Sequence, residues 1–125
     1  MNKLLIEGDY LSKNNIIEMD QLTDLAYYIL LSLLEEKHGY SIMKHVETLT
    51  NGEVTIGPAS LYPSLKKLQH AGFIQLLEDK HDRRKTYVAT QKGKIILMNE
   101  IERRSKMVDH GKSALKSSFT KFLNR

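Results

Sequence analysis

Residues 58–72 have the sequence PASLYPSLKKLQHAG, which carries helix signals at both ends. Proline is favoured at the first position of a helix, because its missing N–H would have no partner there. Gly72 is a typical residue to follow the end of a helix. Leu61, Leu65 and Leu68 fall on one narrow face at about 100° per residue, so this face is predicted to pack against the core.

The opposite face of this helix is small and polar at its start and cationic further along. Its residues are Ala59, Ser60, Pro63, Lys66, Lys67 and His70, with Tyr62 on the flank. A helix in the DNA major groove needs this profile, because small residues allow close approach and lysines neutralise phosphates. The alternative is an ordinary helix with a solvated face, although a tyrosine outside the core is unusual for one. Pro63 costs about 3 kcal/mol inside a helix, unless the helix begins at Ser60 instead of Pro58.

Two further helices are predicted before this segment. Apolar residues with helical spacing begin at Leu22, with Asp20 or Thr23 as the N-cap, and this helix is expected to end at His38-Gly39. A second helix is expected to begin directly after that glycine and to stop at residues 50–52, which have the sequence TNG. Two helices joined across a single glycine must cross steeply.

A hairpin and one long helix are predicted after residues 58–72. Residues 73–78 and 85–90 are expected to pair as strands around a polar loop, and residues 54–56 to form a short strand beside them. Thr90 can cap a last helix over residues 91–123. This order is typical of a mainly α winged helix-turn-helix, with three helices, a two-stranded β wing and a long C-terminal dimerisation helix.

The length of 125 residues allows one domain of this kind. We expect an N-terminal extension over residues 1–19, a DNA-binding domain over 20–90 and a dimerisation helix over 91–125. The chain has no cysteine, which excludes disulfides and thiolate metal sites and suits a reducing cytoplasm. The most apolar run, residues 25–34, is half of the about 20 residues that a membrane helix needs, and no signal peptide is visible, so a cytoplasmic protein is expected.

The charge is distributed unevenly along the chain. Residues 1–57 carry 4 lysines against 9 acidic residues, a net −5, whereas residues 58–125 carry 15 Lys and Arg against 6 acidic residues, a net +9. A basic half beside an acidic half gives a directional field that suits an anionic polymer. A merely solvated basic helix is the alternative.

The hairpin concentrates positive charge at its tip and return strand. Its cations are Lys80, His81, Arg83, Arg84 and Lys85, opposed only by Asp79 and Asp82. Charges set this densely repel one another unless an anion offsets them, and the planar fork of arginine suits phosphates or a narrow minor groove. A solubilising strand edge is the alternative. Because the hairpin follows a helix with a groove-binding profile, DNA contact is the preferred interpretation.

The last helix carries an apolar seam at alternating spacings of three and four residues. The candidate dimerisation residues are Met98, Ile101, Val108, Leu115, Phe119 and Phe122. Ser105 and Lys112 interrupt this heptad pattern, so it favours a partner without forming a strong isolated coiled coil. Packing of the helix over the first helix of its own chain is the alternative.

The chain offers no constellation typical of an enzyme or a metal site. The five histidines are scattered without the spacing of metal ligands. There is no glycine-rich phosphate loop, nucleophile elbow or ordered Ser–His–Asp set. We therefore expect no catalytic activity, no metal and no cofactor.

Five segments together resemble the PadR family of transcriptional regulators. They are His38-Gly39-Tyr40-Ser41-Ile42, residues 58–68, Ala71-Gly72-Phe73-Ile74, Arg83-Arg84-Lys85-Thr86-Tyr87 and Thr90-Gln91-Lys92-Gly93. The resemblance runs from about Leu22 to the C-terminus. The short C-terminal region, a single helix, is similar to that of the subgroup whose C-terminal domain is a single helix.

The resemblance implies a homodimeric repressor that binds a palindromic operator on double-stranded DNA and releases it when a small hydrophobic or aromatic effector binds. It implies DNA contacts by Tyr40, Ser60, Tyr62 and Lys66, and by Arg83, Arg84 and Lys85 in the wing. Pro63, Lys67 and Lys80 complete the candidate DNA-binding residues through their places in the helix and the wing. Some family members stack planar drugs between tryptophans, and this chain has no tryptophan.

Two other functions fit the same fold. One is a winged-helix adaptor that binds proteins, and the other is a nonspecific, nucleoid-type DNA binder. Binding through several phosphates weakens steeply with salt, which separates both DNA binders from the adaptor. A preference for one sequence then separates a regulator from the nonspecific binder.

Overall fold

The computed structural model describes residues 17–18, 21–79 and 82–124, with side chains for residues 21–78 and 84–124. The described residues form helices α1 (Asp24–Ser32), α2 (Gly39–Leu49), α3 (Pro58–His70) and α4 (Gln91–Leu123). They also form strands β1 (Ile17–Glu18), β2 (Gln21–Leu22), β3 (Lys37–His38), β4 (Ile74–Asp79) and β5 (Asp82–Ala89). Strands β1 and β2 pair antiparallel, and β5 lies between β3 and β4 in a second antiparallel sheet. The mainly helical winged helix-turn-helix is thereby confirmed.

Helix α1 begins at Asp24, after one of the two predicted N-caps, and ends earlier than predicted, while Leu22 lies in β2 and not in the helix. The Thr23 hydroxyl accepts a hydrogen bond from the N–H three residues further on, at 3.2 Å, and is the N-cap. The helix ends at Ser32 rather than at His38-Gly39, so the prediction of two helices joined across one glycine is wrong. Leu33 keeps the helical spacing and is fully buried, but its carbonyl accepts a hydrogen bond from the Ala89 N–H at 2.7 Å. That long-range contact, together with β3, separates α1 from α2.

Helices α2 and α3 end as the sequence predicts. After α2, Asn51 and Gly52 have φ angles of 53° and 80°. After α3, Gly72 has a φ of 82°, and the Phe73 N–H donates to the Leu68 carbonyl at 3.0 Å. These left-handed positions satisfy the last carbonyls of each helix, as glycine-rich caps do.

Pro63 lies inside α3, because the helix begins at Pro58. The alternative start at Ser60 is therefore wrong. Pro63 has no N–H to donate to the Ala59 carbonyl. At the next position of the helix, the Ser64 hydroxyl donates to the Ser60 carbonyl, at 2.8 Å.

The wing is built from β4 and β5, with β3 added on the far side of β5. Thr86 pairs with His38 of β3, and Tyr87 pairs with Leu76 of β4. Residues 54–56 form no strand, so that prediction is wrong. Strand β3 lies beside β5 instead, and Ile56 packs into the core.

The hydrophobic core lies between α1, α2, α3 and the sheet. Its largest fully buried apolar side chains are Ile29, Leu30, Leu33, Ile42, Val46, Leu61, Leu65 and Leu68. The three leucines predicted to form the inner face of α3 are among them, which confirms that face and leaves the opposite face to solvent.

Helix α4 spans 33 residues, about 50 Å at 1.5 Å per residue, with the predicted bounds. The Thr90 hydroxyl accepts a hydrogen bond from the Gly93 N–H at 3.1 Å and caps the helix as expected. The first half packs on the domain through Leu97, whereas every residue over 105–124 is exposed. In the part of the chain that the structure describes, no helix combines the length and apolarity of a membrane span.

Candidate nucleic-acid interface

The outward face of α3 is exposed and positively charged. Ser60, Tyr62, Pro63 and Lys66 are exposed, and Lys67 is half-buried. The helix carries two lysines and no acidic residue. A phosphate chain that passed along this face would meet only neutral or positive groups.

Tyr62 lies over the N-terminal end of α2. Its side chain is 51% exposed, yet its hydroxyl oxygen would be only 2.5 Å from a Cβ added at Gly39. Gly39 is therefore needed for this close approach, which the sequence motif alone does not reveal. Tyr40 follows Gly39 in α2 and is 61% exposed. The N-terminal end of α2 thus carries an exposed tyrosine next to the glycine that Tyr62 approaches.

A third tyrosine lies behind them in the sheet. Tyr87 is buried, and this burial raises the pKa of its hydroxyl above the ordinary value, with a further contribution from the neighbouring Tyr62. The phenol of Tyr87 therefore stays protonated at neutral pH. It supports the surface from within rather than forming part of it.

The wing carries its described cations on β5. Arg84 and Lys85 are exposed, whereas Lys80 and the side chain of Arg83 lie outside the described residues. Arg84 Nη1 lies 3.1 Å from Nε2 of His38, the N-cap residue of α2. The wing is thus joined to the N-terminal end of α2 through His38, to which the sequence alone assigns no role.

The candidate dimerisation residues are all exposed in the single chain. They are Met98, Ile101, Val108, Leu115, Phe119 and Phe122. Phe122 is 69% exposed. Large apolar side chains exposed at heptad spacing favour a partner surface.

A charged cluster around the buried Glu100 attaches the first half of α4 to the start of the domain. Glu100 is 2% exposed and accepts hydrogen bonds from Arg103 and from Arg104, the latter at 3.0 Å. Arg104 also donates to Asp24 at 2.8 Å and to the Leu22 carbonyl at 3.0 Å. The sequence shows only a surface-like i,i+3 and i,i+4 pattern here, so this cluster was missed.

The electrostatics of Glu100 follow from this cluster. Burial alone would raise the pKa of Glu100, but hydrogen bonds from Arg103 and Arg104 outweigh it and hold the pKa below its ordinary value. The attraction of Arg103 and a backbone hydrogen bond from Leu22 act in the same direction. Glu100 is therefore ionised at neutral pH and stabilises the folded chain in that form.

Metal ligands do not gather among the residues that the structure describes. No group of three His, Asp or Glu side chains there has the geometry to hold an ion. His38 and His45 contact serines and an arginine instead.

Known proteins similar to this chain include transcriptional regulators. The family model "Transcriptional regulator PadR-like family" matches residues 29–99, more than half of the chain. The Escherichia coli (strain K12) transcriptional regulator YqjI is 31% identical over 65 residues. That alignment covers 50% of this chain and 31% of YqjI, so the chain spans about a third of the length of this relative.

Solved structures share the fold. A transcriptional regulator from Clostridium thermocellum superposes with a TM-score of 0.64 at 23% identity, covering 71% of this chain and 90% of that chain. Bacillus subtilis PadR in complex with operator DNA superposes with a TM-score of 0.56 at 29% identity, covering 63% of this chain and 47% of that chain. Together with the family match, the helices, wing and exposed α3 face show that this chain belongs to the PadR-like family of transcriptional regulators.

Proposed function

We propose that the chain is a homodimeric transcriptional repressor that binds a palindromic operator on double-stranded DNA and is released by a small hydrophobic or aromatic effector. The observation that carries this proposal is the outward face of α3, which is exposed, free of acidic residues and adjacent to the N-terminal end of α2. The operator-bound Bacillus subtilis PadR supports it by its fold.

In this proposal α3 enters the major groove. Ser60 and Pro63 form the small, weakly polar start of its exposed face, and Tyr62 lies on its flank. All three approach the bases. Lys66 and Lys67 lie further along and neutralise phosphates. Tyr40 adds a contact from the N-terminal end of α2.

The wing flanks the same DNA. Arg84 and Lys85 are exposed on β5, and the proposal includes Lys80 and Arg83 through their places in the sequence of the wing. Arginine binds phosphate oxygens in pairs and fits a narrow minor groove. The wing would thus contribute affinity from the backbone while α3 contributes sequence preference.

Dimerisation through α4 supplies the twofold symmetry. The exposed seam of α4 is interrupted only at Ser105 and Lys112, and a second copy of this helix would cover it with the same heptad spacing. A twofold axis places two α3 helices about one DNA turn, or about 34 Å, apart. A palindromic operator with that half-site spacing follows.

An effector has room beside α1 and α2. A cleft of about 320 Å³ is lined by Leu31, Leu34 and Leu49, with Lys37 and His45 at its polar side. Ser32 and Glu35 also line the cleft, so polar residues outnumber the three leucines. Its volume is at the lower end of the range of small-molecule sites, and on that ground the cleft is the candidate effector site of the proposal.

The test begins with selection of duplexes from a random-sequence pool by the purified protein. The expected result is a palindrome with half-sites about one turn apart. Lys66→Ala should then weaken binding about tenfold and lower the slope of log affinity against log salt by about 1. Lys106→Ala removes the same charge from an exposed site on α4 that also lies outside the seam, and should change neither quantity.

Three outcomes would contradict the proposal. A salt slope without any preferred sequence would indicate a nonspecific DNA binder. An absence of DNA binding would indicate a protein adaptor. Equal effects of Lys66→Ala and Lys106→Ala would remove α3 from the interface.

A further inference from the structure

His38 lies where the wing, α2 and the sheet meet. Its backbone pairs with Thr86 in β5, and its ring lies between Ser41 of α2 and Arg84 of the wing. Arg84 is two residues from Thr86, so both side chains are on one face of β5, and Arg84 is the diagonal neighbour of His38. A long side chain reaches across such a diagonal, which the 3.1 Å contact between Arg84 Nη1 and His38 Nε2 shows.

More groups around the ring of His38 can donate a hydrogen bond than the ring can accept. Nδ1 lies 3.4 Å from the Ser41 N–H nitrogen, which it would cap, and Nε2 lies 3.1 Å from Arg84. A neutral imidazole has one unprotonated nitrogen, and a guanidinium can only donate. The helix cap and the Arg84 contact therefore require opposite tautomers.

The geometry favours the contact with Arg84. At 3.4 Å the bond to the Ser41 N–H is long, whereas 3.1 Å to Arg84 is within the usual range. With Nε2 as the acceptor, the ring proton lies on Nδ1. The Ser41 hydroxyl lies 3.1 Å from Nε2 and 3.4 Å from Nδ1, so it can donate to the first or accept from the second. A residue required only as an N-cap would be better chosen as Asn, Asp, Ser or Thr.

We propose that His38 is a positioning residue for DNA binding. It holds the guanidinium of Arg84 on the side of the wing that faces the N-terminal end of α2. This proposal rests on the proposed DNA-binding function. The guanidinium has several N–H donors in a fixed plane, so one contact with His38 orients the group without exhausting it. DNA would then meet an arginine whose rotamer is already selected, at the N-terminal end of α2, where Tyr40 is also exposed.

The contact requires a neutral ring. A protonated imidazole donates from both nitrogens and would carry a positive charge next to that of Arg84. The partner of Arg84 at this place must therefore accept, as neutral histidine does. A lysine or arginine at position 38 would not replace it.

The experiment is a double-mutant cycle on binding to the duplex that the parent selects from the random-sequence pool. His38→Asn keeps a good N-cap but is too short to reach Arg84. We expect His38→Asn and Arg84→Ala each to weaken binding about tenfold and to lower the salt slope by about 1. The double variant should bind no more than about twofold more weakly than either single variant.

Two controls separate positioning from folding. The denaturant midpoint of His38→Asn should match that of the parent, because the cap is retained, and His38→Ser is a second variant with the same properties. His38→Asn combined with Lys66→Ala should lose affinity multiplicatively, because Lys66 lies on α3 and does not act through His38.

The outcomes decide between the two proposals. A parent that selects no duplex would overturn the DNA-binding function, and the role of His38 with it. A parent that selects one, together with parent-like affinity of both His38→Asn and His38→Ser, would overturn the role of His38 alone. So would multiplicative losses when His38→Asn is combined with Arg84→Ala.

Discussion

The two halves of α4 belong to one helix and differ in what surrounds them. In residues 91–104, Leu97 and Glu100 are buried against the domain. In residues 105–124 every residue is exposed, including the largest apolar side chains of the seam. The seam residues of the first half, Met98 and Ile101, are exposed like those of the second half, so the domain covers other positions of the helix. The heptad spacing therefore marks one exposed face along the whole helix, whereas the face that packs on the domain depends on contacts far away in the chain.

The first prediction compares one glycine from each half. A Cβ at Gly93 would lie 2.0 Å from the Phe73 carbonyl oxygen, and backbone cannot yield as a flexible side chain can. That carbonyl also accepts the Thr90 N–H at 3.0 Å. Gly93→Ala should therefore lower the free energy of unfolding by about 3 kcal/mol. Chemical denaturation at fixed protein concentration measures it.

Gly111→Ala is the matched control in the second half. A Cβ there meets nothing within 4 Å. Alanine is favoured over glycine inside a helix by about 1 kcal/mol, so this variant should be as stable as the parent or more so. Equal losses in both variants would show that the two halves are packed alike.

The sequence predicts the local features of this fold well. The start of α3 at Pro58, its inner leucines and the bounds of α4 all depend on neighbours within one or two helical turns. The same holds for the Thr90 cap. Each of these features has a local physical cause, so a window of sequence contains it.

The features that the sequence misses depend on distant pairing. The early end of α1 and the position of β3 follow from contacts with β5, about 50 residues later. The sequence predicts a strand at residues 54–56 and misses β3. A strand of two residues is too short to be recognised from its own sequence. Within the interface, Gly39 and His38 gain their roles only through Tyr62 and Arg84.

The second prediction tests the exposed half of α4. Leu115 lies in the seam, so Leu115→Asp would place a charge in the proposed dimer interface. Self-association should weaken at least a hundredfold, about 2.7 kcal/mol, because an unpaired buried charge is costly. Analytical ultracentrifugation over a range of concentrations measures it.

Ser113→Asp adds the same charge on the same half, two residues away and outside the seam. It should leave the self-association constant unchanged. A parent that stays monomeric throughout would contradict the dimer, and equal weakening by both variants would contradict this register of the seam.

The third prediction tests the buried half through Glu100. Glu100→Gln keeps the shape but removes the charge that Arg103 and Arg104 face. The arginines are about a quarter to a third exposed and remain partly hydrated. The expected loss is therefore about 2 kcal/mol in the free energy of unfolding at pH 7, less than for a fully buried pair.

The pH dependence of this loss fixes its cause. The pKa of Glu100 is lower in the folded chain than in the unfolded chain, so its contribution is complete above the unfolded pKa of about 4.3 and disappears as the pH falls through the folded value. The difference in unfolding free energy between the parent and Glu100→Gln should be constant from pH 7 to about pH 5 and shrink in more acidic solution. Other carboxylates titrate in both proteins and cancel in that difference. A difference that persists unchanged into acid would contradict stabilisation by the charge of Glu100 and would assign the loss to the introduced amide.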